Sequence, residues 1–345
     1  MGTRLKKMKV EEAVGRRLAH DLTRIIRGKF KGAAFRKGQR IRKADIPRLL
    51  DMGKKQIYVL SPNPGALHED EAARRMARAI AGRGLRLRGP REGKIEFLAR
   101  THGILRIHVP SLEKINALGG LILAARHNGS CVRGDDVVAG TRAIPLVIRE
   151  SKIKKVEDIC RERGPVLEVF PFRKKKVGIV VTGSEIYEKR IPDRSAEIVK
   201  KKVETLGSKV KRVAVTPDDP DWIAREIRKM KASGCQVIVA TGGLSVDPDD
   251  ATLNGIRRAG AKVVFYGVPV LPGSMSAYAR LGRTPILGAP ACLVHEPVTA
   301  FDLFLGPLLA DFLLTARDAA RLGHGGLCLR CPVCQYPLCP FGKGA

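Results

Sequence analysis

Three stretches in the second half of the chain end apolar runs in hydroxyls, glycines and carboxylates. They are Thr182-Gly183-Ser184-Glu185, then Thr216-Pro217-Asp218-Asp219, then Thr241-Gly242-Gly243-Leu244-Ser245, which continues to Asp247, Asp249 and Asp250. Glycines let backbone N–H groups approach a ligand closely. Carboxylates hold hard divalent cations, and Mg²⁺ between a carboxylate and a phosphate turns their repulsion into attraction. Glu185, Asp218 and Asp250 are therefore the candidate catalytic, Mg²⁺-linked acids. Thr182, Gly183, Ser184, Thr241, Gly242, Gly243 and Ser245 are the candidate ligand cradle. Asp and Gly are also ordinary turn formers and caps, so the weight lies in one theme recurring at three strand ends. No GxxxxGK[ST] phosphate loop occurs.

The second chemical cluster is Cys328-x2-Cys331-x2-Cys334-x4-Cys339-Pro340. Four thiols this close suit a metal, either a [4Fe–4S] cluster or Zn²⁺. The spacing and the following proline are ferredoxin-like, whereas structural zinc sites usually separate two CxxC pairs by a longer loop. Cys131, Cys160, Cys235 and Cys292 stand alone and read as small buried hydrophobes. Cys292 and His295 can be imagined as a nucleophile and base, but their place at the start of an apolar helix suits packing or capping.

Elements that position the strand-end residues follow from periodicity. From Val177 onward, continuous apolar strands alternate with helices, as in a parallel sheet covered on both faces. Ligands bind such sheets beyond the carboxyl ends of the strands. The expected fold class is α/β: a three-layer, mostly parallel sheet over 174–313, an N-terminal mixed α+β region over 1–173, and a Cys-rich tail over 314–345. Within the first region, helices are expected over 10–22, 43–53, 70–82 and 154–163, with a β-rich part at about 94–149. Asp45 and Ser195 are the expected caps of the helices that they begin.

With 345 residues, 44% of them apolar, the chain is long enough for two domains and a real core. Its net charge of +30 draws anions. The basic residues are scattered, with only short runs such as 173–176, and no nucleic-acid-binding motif accompanies them. Nucleic acid is therefore not the expected partner. No apolar stretch follows the charged N-terminus and no run suits a membrane span, so a cytoplasmic protein is expected.

In order, KVGIVVTGSEI, PDRSAEIVKKKVETLG, VTPDDPDWI, VIVATGGLSVDPDDATLNGIRRAG, LPGSM and ILGAPACLVHEPVTAFDLFLGPLL resemble the molybdopterin-binding domain. This domain is shared by the gephyrin-like molybdopterin molybdenumtransferases and by smaller molybdopterin adenylyltransferases. The resemblance covers roughly residues 175–312. It implies binding of molybdopterin or adenylyl-molybdopterin at the strand ends. It also implies Mg²⁺-assisted cleavage of the adenylylated pterin as molybdate is inserted. On matching positions it gives acidic roles to Glu185, Asp218 and Asp250, and the cradling turn to Gly242, Gly243 and Ser245. Pro272 and Gly273 match the start of the family's PGKP turn, here PGSM without the lysine. The GNP turn is Gly288-Ala289-Pro290 here, and the N-terminal SxxDGxA segment is not found, with GAAFRKG near its place. Pterin binding depends less on these features than molybdenum insertion does. The related transferases act as dimers, which implies a homodimer.

Two further readings stay open. One is a non-catalytic molybdopterin carrier or redox sensor whose Cys-rich tail docks to a molybdoenzyme partner. The other is a basic nucleic-acid-binding protein, whose affinity would fall steeply with salt.

Overall fold

A computed structural model describes residues 3–26, 30–62, 65–244 and 251–344. The chain divides into two compact units, one of residues 1–100, 107–126 and 134–168, the other of 101–106, 127–133 and 169–345.

In the first unit, strands Thr3–Lys9 and Gln56–Pro62 pair antiparallel, and Leu22–Ile26 pairs with Phe30–Phe35. Val10, Leu18, Phe35, Ile41, Leu49, Ile57 and Val59 form their core. The helix expected over 10–22 is absent. Only a 3-10 turn, Glu11–Ala13, forms. Gly15 takes φ +83 and Leu18 bridges to Val59, so the apolar residues face a sheet partner instead of a helical stripe. The second expected helix is a 3-10 turn, Lys43–Asp45, running into Ile46–Asp51. Asp45 caps the turn by accepting from Arg42 N at 2.8 Å, and makes no side-chain cap on Ile46–Asp51. Helices Glu69–Ile80 and Glu150–Arg163 form as expected. The β-rich part contains a four-stranded antiparallel sheet of Leu85–Arg91, Lys94–Ala99, Val137–Ala143 and Leu121–Ala125, together with a helix, Val109–Ala117.

The second unit is a three-layer α/β fold. Its six strands lie in the order Lys209–Thr216, Lys176–Thr182, Val237–Thr241, Thr284–Ala289, Ala277–Leu281, Lys262–Tyr266. The first four run parallel, and Ala277–Leu281 runs against both its neighbours. Successive strand residues point to opposite faces, which gives two cores. Val177, Ile179, Val181, Val237 and Val239 pack with Val199 and Val203 of helix Ser195–Thr205 and with Phe301, Phe304 and Leu308 of helix Ala300–Leu309. Val180, Ile238 and Ala240 pack on the other face with Ile223, Ile227 and Met230 of helix Pro220–Ala232 and Ile256 of helix Thr252–Arg258. Each such aliphatic side chain contributes roughly 1.5–3 kcal/mol by leaving water. Gly178 sets the helix-to-sheet distance: a Cβ there would lie 2.5 Å from Met230 Sδ.

Ser195 is not the cap of its helix. Asp193 accepts from Ser195 N and Ser195 Oγ, both at 2.8 Å, and from Ala196 N at 3.2 Å. A carboxylate two residues upstream serves the free N–H groups better than a hydroxyl already inside the first turn. Among the described residues no helix is long and apolar enough to cross a membrane.

Candidate functional site

The parallel strands end along one edge, where Thr182 is in register with Thr216, Val181 with Thr241, and Thr241 with Ala289. Thr182 and Thr241 are buried beneath that edge. The hydroxyls of Thr182 and Thr252 are 2.7 Å apart, and Thr252 donates to the Gly242 carbonyl at 2.9 Å. Thr182 Oγ1 also lies 3.2 Å from the Thr241 carbonyl. These hydroxyls tie the first strand to the glycine turn and support the site from below. Thr252 escaped the sequence reading. A hydroxyl at the start of the helix after a glycine turn was the available signal.

The first two strand ends are joined reciprocally. Ser184 N donates to Asp218 Oδ2 at 2.8 Å, and Asp218 N donates to Ser184 Oγ at 3.1 Å. The next residue, Asp219, caps helix Pro220–Ala232 by accepting from Asp221 N and Trp222 N at 2.8 and 3.0 Å. The two adjoining carboxylates therefore have different tasks. Asp218 turns toward the strand ends and Asp219 closes a helix. Beyond them, Tyr187 and Trp222 meet edge to face with centroids 5.9 Å apart.

Glycine geometry accounts for the close fit of the third strand end. Gly242 has φ +88, and a Cβ there would sit 2.0 Å from the Thr182 carbonyl oxygen. At Gly243, φ +49, a Cβ would sit 2.8 Å from Thr252 Oγ1 and 3.4 Å from Asp218 Oδ1. The missing side chain at 243 leaves open the ground beside Asp218 Oδ1. Glu185 is exposed and Asp218 half-buried. Among the described residues neither carboxylate has a Lys or Arg ion-pair partner, although the chain carries +30. Ser245, Asp247, Asp249 and Asp250 lie outside the described residues.

The Pro272-Gly273 turn reaches the same edge, since Ala277 pairs with Gly288. Its atoms are spent on the fold. Ala300 N donates to the Pro272 carbonyl at 3.1 Å, and Ser276 Oγ donates to the Gly273 carbonyl at 2.8 Å. A Cβ at Gly273 would lie 2.5 Å from Ala300 N, so this glycine seats the start of helix Ala300–Leu309. Burial pushes the Cys292 thiol pKa up, the opposite of an activated nucleophile. The four tail cysteines line one concavity together with Glu296 and Arg330. A larger one, about 1230 Å³, is lined in part by Lys174, Lys201, Lys202 and Arg133 of the same unit. Glu185 and Asp218 line neither.

The first unit holds a group that the sequence reading missed. His68, Glu69 and Asp70 place three ligand-type atoms within 4.8 Å of one another. Lys37 Nζ lies 2.7 Å from His68 Nδ1 and 2.5 Å from Asp70 Oδ2. His68 Nε2 faces the Ala19 carbonyl at 2.8 Å, which makes Nε2 the donor and Nδ1 the acceptor. Burial, helped by the Asp70 carboxylate, pushes Glu69 up to about 7. Three adjacent polar residues opening an amphipathic helix were the only clue in the sequence.

Residues 178–311 match the family described as "Probable molybdopterin binding domain", and residues 7–61 match a family described as a domain of unknown function. The chain is 25% identical over 187 residues to a molybdopterin molybdenumtransferase of Synechococcus elongatus, covering 51% of this chain and 45% of that protein. It is also 25% identical over 130 residues to a CinA-like protein of Amoebophilus asiaticus, covering 37% and 30%. The chain thus spans less than half the length of these curated relatives. Among solved structures, the molybdopterin biosynthesis enzyme MoaB of Thermus thermophilus is 20% identical, with 39% of this chain and 89% of that one covered and a TM-score of 0.31. The tungsten cofactor synthesizing protein MoaB of Pyrococcus furiosus is 15% identical, covering 38% and 89%, with a TM-score of 0.29.

Proposed function

Starting from a molybdopterin-binding domain over residues 178–311, we propose that this chain binds molybdopterin or adenylyl-molybdopterin at its strand ends and inserts molybdate as the adenylylated pterin is cleaved. The observation that carries this reading is Asp218. One of its oxygens is fixed by Ser184 N, while the other faces the space kept open by Gly243.

The donor set fits Mg²⁺, since carboxylate oxygens are its preferred protein ligands. Asp218 Oδ1 and Glu185 would hold it, and Asp250, the third expected acid, lies outside the described residues. When bound, Mg²⁺ supplies polarisation of the phosphoanhydride. The chain's own part is positioning. Gly242 and Gly243 bring backbone to the phosphates, and the Ser184–Asp218 pair keeps the carboxylate from turning away. Thr182 and Thr252 hold the glycine turn at its distance. The +30 charge supports capture of an anionic ligand. Molybdate as second substrate and a homodimer belong to the same reading.

The test is AMP release from adenylyl-molybdopterin by the purified chain with Mg²⁺ and molybdate. Turnover lost in Asp218→Asn, with melting unchanged, is expected. No AMP from the wild-type chain would refute insertion. A second reading, a carrier that binds pterin without cleaving it, is favoured by the turn Leu271–Met275, which has no lysine and whose Pro272 carbonyl is taken by the start of helix Ala300–Leu309. Pterin bound at equilibrium with no AMP released would select it. The tail cysteines lie beyond the matched domain.

A further inference from the structure

The tail from 322 to 344 has little core of its own. Leu327, Leu329, Val333 and Leu338 are 65%, 70%, 71% and 76% exposed, more than any other large apolar residues described. Of its apolar side chains Phe341 is fully buried against the core of the second unit, and Leu322, Cys328, Tyr336 and Cys339 pack partly buried against the same core. Yet the segment is fastened at definite points. Leu271 N donates to the Gly326 carbonyl and Cys328 N to the Leu271 carbonyl, both at 2.8 Å, and Arg330 pairs with Glu296 at 3.3 Å. A segment that leaves four large apolar side chains in water gains from a further source of order.

Its cysteines provide one. Cys328, Cys331, Cys334 and Cys339 all line one concavity of about 230 Å³, and all four are free thiols. The four thiols thus share one space, and their close run favours a cluster, since structural zinc sites usually separate two CxxC pairs by a longer loop. Val298 and Phe341 cover the concavity with apolar surface, and Arg330 lines it with a cation suited to an anionic, thiolate-bound group. In two-cluster ferredoxins three cysteines at Cys-x2-Cys-x2-Cys ligate one cubane cluster and the following Cys-Pro cysteine ligates the other; here Cys339, one residue further along than that cysteine, lines the same concavity as the first three and completes the four.

We propose that Cys328, Cys331, Cys334 and Cys339 bind a [4Fe–4S] cluster, with each thiol losing its proton on ligation, and that the cluster organises the tail. The tail's bonds to Leu271 then connect cluster occupancy to the segment entering the Pro272-Gly273 turn. This inference stands apart from the pterin reading and survives its failure.

The full-length chain, expressed with both iron and zinc available and purified without oxygen, is assayed for iron, acid-labile sulfide and zinc. About four irons and four sulfides per chain are expected, with absorption near 400 nm that bleaches on dithionite reduction. Cys334→Ser should lose most of the iron while the melting of the sheet domain, followed by circular dichroism, stays within about 2 °C. Cys292→Ser, outside the tail, should keep iron at the wild-type level. One zinc per chain without iron would overturn the proposal. So would a metal-free chain that fails anaerobic reconstitution with iron and sulfide, disulfides among the four residues, or an iron content unchanged in Cys334→Ser.

Discussion

At Asp70 a lysine ammonium lies 2.5 Å from the carboxylate, and a backbone N–H from Gly93 completes it at 3.0 Å. Asp218 is likewise held by a backbone N–H, at 2.8 Å, but its other oxygen faces a glycine and, among the described residues, meets no cation. Both acids sit in a chain with thirty surplus positive charges. In the first unit the sequence supplies the counter-ion itself, and the carboxylate is bound into the fold. At Asp218, on the proposed reading, the counter-ion would come with the ligand. The difference separates an acid that stabilises from one that is available to a ligand.

The comparison can be broken at four points. Gly242→Ala places a methyl 2.0 Å from the Thr182 carbonyl at a φ that L residues avoid. A loss of about 3 kcal/mol in urea unfolding and abolished pterin binding are expected. Asp218→Asn should lower AMP release about a hundredfold and remove Mg²⁺-dependent thermal stabilisation in the presence of ligand. Near-normal turnover would show that the open acid is only a turn residue.

Glu69 gives the third point. Its carboxyl, normally near 4.5, is held up to about 7 in the folded chain. The folded state keeps a proton that the unfolded state gives up, so this contribution is complete below about pH 4.5 and is lost as pH rises through 7. Glu69→Gln removes that dependence. At pH 8 it should be more stable than the wild type by about 2 kcal/mol, and at pH 4 the two should have equal urea midpoints. The smallest expected effect is that of Lys37→Met. With Asp70 deprived of its ammonium, stability should fall by about 1–2 kcal/mol while pterin binding stays unchanged. A loss of turnover in Lys37→Met would place that group in the chemistry and undo the contrast.

The strand ends were legible because their signals are local. VIVAT followed by two glycines fixes a strand, its end and a positive-φ turn within a few residues. The two-sided apolar runs announced a covered parallel sheet in the same way. What depended on distant partners was not legible. Lys37 and His68 are 31 residues apart in sequence, and nothing near either one marks the other. Residues 10–22 have helical spacing, but Val59 and the conformation of Gly15 decided their structure. Residues 101–106 and 127–133 belong to the second unit only because the chain returns there, which no window of sequence records. At Ser195 the pattern found the right helix start and assigned its cap to the wrong neighbour, since Asp193 competes for the same N–H groups.

Trp222 is the chain's single tryptophan. It accompanies the second strand end through Asp219, which accepts from its backbone N–H, and the first through its edge contact with Tyr187. The residue is 41% exposed, and its ring lies under the Arg225 guanidinium. Those two strand ends are the ones that Ser184 and Asp218 bind together. The molecule therefore carries a built-in optical gauge: a titration followed by emission alone reads whether the acid-bearing edge has shifted, with no label attached and no second indole to confuse the signal.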